Sequence, residues 1–140
     1  MHSYQIGILG ATGAVGQKFI RLLEDHPWFT ITKLGASERS AGKHYKEAVH
    51  WIEKTELPSD IAGMTVSECR PSEFEKVDFV FSGLDSSVAG DIEQAFAEAG
   101  IPVISNAKNY RMHDQVPLLI PEVNPGHAEL IKKQPFDRGG

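Results

Sequence analysis

The sequence predicts an α/β fold with a doubly wound, mostly parallel sheet in a single domain. Short apolar, β-rich runs alternate along the chain with segments of helical spacing. A glycine-rich turn joins the first of these runs to the first helical segment. The composition, 140 residues with 41% hydrophobic and 24% charged residues, is typical of a globular domain. A chain of this size buries roughly two thirds of its unfolded surface, enough for a core without disulfides or metals.

The first βαβ unit is predicted within the N-terminal quarter. Residues 4–9 form an apolar strand, and residues 14–25 follow as a helix. Its apolar side is assigned to Val15, Phe19, Leu22 and Leu23. Because Pro27 disfavours helical geometry at the residue before it, the helix ends there and a second strand, 29–36, begins.

The middle of the chain carries weaker signals. Residues 37–46 are polar and predict a loop, while residues 47–59 fit no single element. A third strand is predicted at 64–68 and a fourth, strongly apolar strand at 77–82. Between these two strands, residues 71–75 begin with proline, which favours a short helical turn.

The remaining elements follow the same alternation. Asp85 and Ser86 offer N-cap side chains to a helix that runs to Ala99, followed by a strand at 101–105 and a short helix at 126–133. The apolar side of the longer helix is assigned to Val88, Ile92, Ala95, Phe96 and Ala99.

Charge and composition exclude several function classes. Nineteen acidic and 14 basic residues give a formal net charge of -5, unlike a nucleic-acid or anionic-membrane binder. The histidines show no metal-ligand spacing with one another or with the single cysteine, Cys69, so no metal site is expected. No apolar run approaches the roughly 18 residues of a spanning helix, and the N-terminus lacks signal-peptide character. We therefore expect a cytoplasmic protein.

The glycine-rich turn is the strongest functional signal. Gly10, Gly13 and Gly16 have the spacing G-x-x-G-x-x-G between strand and helix, a variant of the dinucleotide-binding fingerprint of Rossmann-like domains. Glycine permits the tight turn and a close approach to a pyrophosphate, while the helix N-terminus supplies N–H donors. The alternative is a turn that serves packing alone.

The end of the second strand bears on the choice between NAD and NADP. Glu38 has about the offset of an acid that binds the ribose hydroxyls of NAD. Ser37, Arg39 and Ser40 surround it with groups suited to a phosphate. We favour NADP, on the expectation that Glu38 points away from the ribose; a solvated polar loop is the alternative.

Two further segments follow strands at the same predicted edge. The turn from Ser82 to Asp85 is predicted to line the nicotinamide side, although an architectural role as turn and helix cap also fits. The loop 106–112 carries Asn106 and Arg111, whose side chains suit a phosphate or carboxylate. Solvation of an exposed loop explains the same residues equally well.

The chain resembles the N-terminal part of the aspartate-semialdehyde dehydrogenase family, in particular its archaeal and fungal branch. The resemblance rests on the ordered motifs GATGAVGQ, LGASERSAGK, VFSGLDSSVAGDIE, SNAKNYRM and VPLLIPEVNP. It implies an NADP-binding domain at 1–133 and the start of a linker at 134–140.

The resemblance also implies roles for particular residues. The cofactor pyrophosphate would be bound by Thr12, Gly13, Ala14 and Val15, within the motif that Gly10 and Gly16 enclose. The 2′-phosphate would be bound by Ser37, Arg39 and Ser40, and the nicotinamide half by Ser82, Gly83 and Leu84. Asn106 and Arg111 would hold the substrate phosphate or inorganic phosphate, and Asn124 would reach the cofactor.

The implied reaction is the reversible conversion of L-aspartyl 4-phosphate and NADPH to L-aspartate 4-semialdehyde, NADP and phosphate. The family's catalytic cysteine, in an Asn-Cys motif, and its catalytic histidine do not match any residue of this chain, and Cys69 matches a non-catalytic stretch. The 140 residues alone are therefore predicted to be inactive. The full-length enzyme is expected to be a homo-oligomer. A related acyl-phosphate or malonyl-CoA reductase and a non-catalytic NADP(H)-binding module remain alternatives.

Overall fold

The computed structural model describes residues 3–138 and contains one five-stranded sheet. The ends of the predicted domain and linker, residues 1–2 and 139–140, lie outside the described residues. The strands are β1 (Tyr4–Leu9), β2 (Phe29–Ala36), β3 (Val66–Glu68), β4 (Phe79–Ser82) and β5 (Val103–Ser105). The α-helices are α1 (Ala14–Leu23), α2 (Tyr45–Ala48), α3 (Ser59–Ala62) and α4 (Ser86–Glu98), and 3₁₀ segments span Pro71–Glu73 and Pro125–Lys133.

The sheet order is β3-β2-β1-β4-β5, and every pairing between these strands is parallel. The chain moves outward from β1 to β3 and then returns to place β4 against the other side of β1. This reversal creates a topological switch point between β1 and β4, where Leu9 pairs with Ser82. The predicted doubly wound, Rossmann-like fold is confirmed.

The core is divided between the two faces of the sheet, because neighbouring residues of β1 point to opposite sides. Ile8 belongs to the cluster that packs with α1, α2 and α3, whereas Leu9 belongs to the cluster that packs with α4. The first cluster includes Ile6, Ile20, Leu34, Tyr45, Ile61 and Val66. The second includes Phe74, Val77, Val80, Phe96 and Ile101. Helices therefore cover both faces, as a parallel sheet requires.

Element boundaries differ from the predicted ones mainly where a strand lacks partners. The third strand begins at Val66 rather than at residue 64, because it pairs only with residues 34–36 of β2. The fourth and fifth strands likewise begin two residues late, at Phe79 and Val103. Helices α2 and α3 lie where a loop and an unassigned stretch were predicted, and the helix predicted at 126–133 is a 3₁₀ segment.

The buried sides of the two long helices also differ from the predicted apolar sides. Leu22 of α1 is 63% exposed and Val88 of α4 is 48% exposed, so neither lies on the buried side of its helix. The buried residues are Gly16, Gln17 and Ile20 in α1, and Ala89, Glu93 and Phe96 in α4. Each helix thus buries one polar side chain, which apolar periodicity does not reveal.

The stretch 106–138 contains no strand, no α-helix and no buried residue. Several of its large apolar side chains are exposed: Met112, Leu118, Leu119, Ile120 and Val123. No helix within residues 3–138 combines the length and the apolar character needed to cross a membrane.

Candidate functional site

A cleft of about 630 Å³ opens at the carboxyl edge of the sheet, over the switch point between β1 and β4. Its walls come from the glycine-rich turn after β1, the ends of β2 and β3, the turn after β4 and the first turns of α4. The lining residues are Gly10, Thr12, Gly13, Ala36, Ser37, Glu38, Glu68, Cys69, Arg70, Gly83, Leu84, Asp85, Val88 and Ile92. Val88 and Ile92, assigned from sequence to the apolar side of the helix, both line this cleft.

Close backbone packing brings α1 against the ends of both central strands. A Cβ atom on Gly16 would lie 2.1 Å from the carbonyl oxygen of Gly10, and one on Gly83 would lie 3.0 Å from the backbone nitrogen of Gly16. Gly10 has φ +75, a left-handed conformation that favours glycine. Gly10, Gly16 and Gly83 therefore set the position of α1 at the cleft.

The N-terminus of α1 has no side-chain cap and could therefore accept an anion. Gly13 is the N-cap in extended geometry and provides no side-chain hydrogen bond, and the first turn contains no acidic residue. The N–H groups of Ala14, Val15 and Gly16 have no acceptor among the described residues. These N–H groups, together with the positive end of the helix dipole, suit a phosphate group.

The N-terminus of α4, at the same edge, is occupied by the protein's own carboxylate. Asp85 Oδ1 accepts hydrogen bonds from the backbone N–H of Ser87 at 2.9 Å and from its hydroxyl at 2.7 Å. These bonds, the backbone bond foremost, lower the pKa of Asp85 below its ordinary value. The predicted cap is confirmed, with Asp85 rather than Ser86 as the capping residue.

Two carbonyl groups of the glycine-rich turn point into the protein. The Tyr45 hydroxyl donates to the carbonyl oxygen of Ala11 at 2.6 Å, and Gln17 Nε2 donates to that of Thr12 at 3.0 Å. Gln17 also bonds to the backbone of residues 50–52, through a donor bond of 3.0 Å and an acceptor bond of 2.8 Å. Neither Tyr45 nor Gln17 was identified from the sequence, because neither occupies a motif position that is expected to face the cleft.

The turn after β2 divides its predicted residues between the cleft and the surface. Ser37 and Glu38 line the cleft, and the expectation that Glu38 points away from the ribose stays a prediction. Arg39 is exposed outside the lining, and Ser40 donates its N–H to the carbonyl oxygen of Ser37 at 2.9 Å. The lining also gains Arg70, which forms an ion pair with Glu68 that sequence reasoning did not identify.

Asn106 and Arg111 come together beside the end of β4. The N–H of Asn106 donates to the carbonyl oxygen of Ser82 at 3.0 Å, and Arg111 Nη2 donates to the carbonyl oxygen of Asn106 at 3.3 Å. Both side chains are exposed and lie outside the lining of the cleft. The structure therefore pairs these two predicted residues next to the predicted nicotinamide turn.

Helix α4 holds the loop that carries this pair. Asn109 Nδ2 donates to the carbonyl oxygen of Ser86 at 2.9 Å, and the Tyr110 hydroxyl donates to that of Gly90 at 2.6 Å. The Tyr110 hydroxyl also lies 3.3 Å from Gln94 Oε1 of the same helix. Ser105 Oγ donates to Glu93 at 2.5 Å and accepts the N–H of Ala107 at 2.9 Å.

The other predicted residues have different surroundings. Gly83 and Leu84 line the cleft, whereas Ser82 is fully buried and its hydroxyl has no hydrogen-bond partner among the described residues. Asn124 bonds to its own loop: its Oδ1 accepts the N–H of Ile120 and its Nδ2 donates to the carbonyl oxygen of Leu118, each at 2.7 Å. Its contact with a cofactor stays a prediction.

Cys69 lies in the cleft wall, against Gly35 and the carbonyl oxygen of Ala36. Burial raises the pKa of its thiol, which keeps the sulfur protonated and weakly nucleophilic. Across residues 3–138, no three histidine, cysteine, aspartate or glutamate side chains are grouped closely enough to hold a metal ion.

A model of the family described as semialdehyde dehydrogenase, NAD binding domain, matches residues 5–131. The chain belongs to this family. Aspartate-semialdehyde dehydrogenase of Aspergillus fumigatus is 54% identical over 128 residues, which cover 91% of this chain and 35% of the relative. That of Archaeoglobus fulgidus is 51% identical over 136 residues, covering 97% of this chain and 39% of the relative. The chain therefore spans little more than a third of these relatives.

Solved structures agree with this assignment. A crystal structure of aspartate-semialdehyde dehydrogenase with NADP from Candida albicans superposes with a TM-score of 0.90 at 53% identity, over 94% of this chain and 37% of that one. Aspartate-semialdehyde dehydrogenase II of Vibrio cholerae, complexed with ASA, gives a TM-score of 0.71 at 27% identity, over 99% and 42%. This semialdehyde dehydrogenase domain thus keeps its Rossmann-like fold across distant members.

Proposed function

We propose that this chain is the NADP(H)-binding part of an aspartate-semialdehyde dehydrogenase. One observation carries the proposal: the uncapped N-terminus of α1 meets a cleft at the switch point of a doubly wound sheet. The residues present fit a dinucleotide, because Gly13, which has no side chain, lines the cleft beside free N–H donors and leaves room for a pyrophosphate. The NADP-bound relative from Candida albicans supports the same cofactor.

In this proposal each part of the cofactor has a distinct set of residues. Thr12, Gly13, Ala14 and Val15 bind the pyrophosphate through their backbone, between Gly10 and Gly16. Ser37, Arg39 and Ser40 bind the 2′-phosphate, Ser82, Gly83 and Leu84 form the turn at the nicotinamide half, and Asn124 reaches the cofactor. When bound, NADPH supplies the hydride for reduction of the substrate.

NADP is favoured over NAD by the cations near the turn after β2. Glu38 lines the cleft and would repel a 2′-phosphate, so binding of that phosphate needs a guanidinium close by. Arg39 is exposed and adjacent, and it is free of ion pairs among the described residues. Arg70 already pairs with Glu68, whereas Arg39 directly follows the cleft-lining Glu38, which supports Arg39 as a 2′-phosphate ligand.

Titration of the chain with NADPH and NADH, followed by nucleotide fluorescence, tests this assignment. NADPH should bind more tightly, and Arg39→Ala should weaken NADPH selectively by about 1–3 kcal/mol. Lys43→Ala is the matched control, since it removes an exposed cation from the same turn and should leave the ratio of the two affinities unchanged. Equal affinities of the unmodified chain for NADPH and NADH would contradict the NADP assignment.

We further propose that the whole enzyme reduces L-aspartyl 4-phosphate, with Asn106 and Arg111 holding the substrate phosphate. The bond from Arg111 to the backbone carbonyl oxygen of Asn106 supports this role, because it keeps the guanidinium next to a residue with an amide side chain, and the two groups together suit an acyl phosphate or inorganic phosphate. The whole enzyme would act on small molecules as a homo-oligomer.

The 140 residues alone should bind cofactor without turning over substrate. Their one cysteine, Cys69, has a raised thiol pKa and lies below the turn after β2, so it makes a poor nucleophile. The measurement is phosphate-dependent reduction of NADP by aspartate semialdehyde, followed by absorbance of NADPH. Turnover that disappears in Cys69→Ser would overturn this part of the proposal.

A further inference from the structure

The glycine-rich turn can present N–H groups to a pyrophosphate only if its carbonyl groups point elsewhere. A peptide unit is planar and trans, so its C=O and N–H bonds point in opposite directions. The structure contains no cis peptide bond within residues 3–138. The direction of the Ala11 carbonyl therefore determines the direction of the Thr12 N–H.

Tyr45 fixes the direction of that carbonyl. Its hydroxyl lies 2.6 Å from the carbonyl oxygen of Ala11, and both side chains are fully buried. The N–H of Thr12, on the opposite side of the same peptide unit, has no acceptor among the described residues, and Thr12 lines the cleft. The buried hydroxyl thus leaves one N–H donor pointing to the cleft.

The tyrosine is itself held in place by the backbone. Tyr45 begins α2, donates its own N–H to the carbonyl oxygen of Met64 at 2.8 Å, and accepts the N–H of Val49 at 2.9 Å. Burial raises the pKa of its hydroxyl, so the group remains a donor throughout the ordinary pH range. Gln17 holds the next carbonyl, that of Thr12, in the same inward direction.

We propose that Tyr45 is a positioning residue of the pyrophosphate site, which orients the Thr12 N–H toward the cofactor without touching it. The inference rests on the proposed NADP(H) binding. If that binding occurs, loss of the hydroxyl weakens contacts with the pyrophosphate and leaves contacts with the adenosine 2′-phosphate unchanged. A residue that only stabilised the fold would weaken both kinds of contact together.

The test compares two ligands on Tyr45→Phe. NADPH carries the pyrophosphate, whereas adenosine 2′-monophosphate lacks it. The Kd for NADPH should rise about three- to tenfold, the equivalent of one lost hydrogen bond, with no change in the Kd for adenosine 2′-monophosphate. Tyr110→Phe is the matched control: it removes an equally short hydroxyl bond to a carbonyl oxygen, that of Gly90, and should change neither Kd.

The outcomes separate the two proposals. If the unmodified chain does not bind NADPH, the proposed function fails. If it binds NADPH and Tyr45→Phe changes neither Kd, or raises both equally, the role of Tyr45 is overturned. Should Tyr45→Phe fail to fold, amide proton NMR of the unmodified chain decides: NADPH should shift the Thr12 amide proton downfield, and an unshifted Thr12 amide would reject the inference.

Discussion

The N-termini of α1 and α4 lie at the same edge of the sheet and follow adjacent strands, yet they have opposite chemistry. Both helices begin after a glycine-containing turn that lines the cleft. Gly13 leaves the end of α1 open, whereas the Asp85 carboxylate fills the end of α4. The cap residues therefore leave α1 suited to a phosphate and α4 not, because a second anion at α4 would meet a negative charge.

The two helices also use their glycines differently. Gly16→Val in α1 should cost more than about 3 kcal/mol of unfolding free energy, because a side chain there collides with backbone that cannot move aside. Urea denaturation measures the effect. Gly90→Ala in α4 is the control: its Cβ would meet only the Asn109 amide at 3.2 Å, a side chain that can shift slightly, and alanine favours the helix, so it should cost far less. Similar losses at both positions would contradict the comparison.

Each helix buries one polar side chain, and the two should contribute differently to the stability of the chain. Gln17→Leu should destabilise the chain by about 2–3 kcal/mol, because the backbone groups of Thr12 and of residues 50–52 lose their partner. Glu93→Gln keeps an oxygen acceptor for Ser105 and should cost clearly less. Thermal melts of the two variants and of the unmodified chain measure these losses of stability. A larger decrease in Tm for Glu93→Gln than for Gln17→Leu would contradict the prediction.

A single substitution can give the N-terminus of α1 the same kind of carboxylate cap that α4 has. Gly13→Asp places a carboxylate at an N-cap whose extended backbone accepts it, with the nearest atom 3.6 Å from the new Cβ. NADPH affinity should fall by about 2 kcal/mol, close to thirtyfold in Kd, while the chain is not destabilised. The comparison variant Gly13→Asn has the same shape without the charge. If Gly13→Asn weakens NADPH binding as much as Gly13→Asp in a fluorescence titration, the negative charge does not cause the loss of affinity.

The smallest effect concerns the Asp85 cap and pH. Its folded pKa is depressed, so the carboxylate contributes stability above the unfolded pKa, near 4, and loses it as pH falls through the folded value. Between about pH 5 and pH 3, the urea midpoint should therefore fall more steeply for the unmodified chain than for Asp85→Asn, whose cap does not titrate. Parallel pH profiles would show that the cap contributes no proton-linked stability.

Sequence patterns predicted the site wherever adjacent residues determine local backbone geometry. The spacing of Gly10, Gly13 and Gly16 predicted the turn and the helix position, and Asp85 predicted a cap. The apolar sides of α1 and α4 were less predictable, because Gln17 and Glu93 are polar yet buried. Hydrogen bonds offset the free-energy cost of burying these two polar side chains. The spacing of apolar residues in the sequence does not reveal such bonds.

The sequence by itself determined the alternation of strands and helices, the glycine-rich turn and the family. Only the tertiary structure decided which residues after β2 line the cleft and which buried groups bond to the carbonyl oxygens of the glycine-rich turn. The Tyr45 hydroxyl reaches Ala11 across 34 positions of sequence, from a four-residue helix without any periodic signal. Local geometry follows from neighbouring residues, whereas a hydrogen bond between distant segments exists only once packing has brought both into one core.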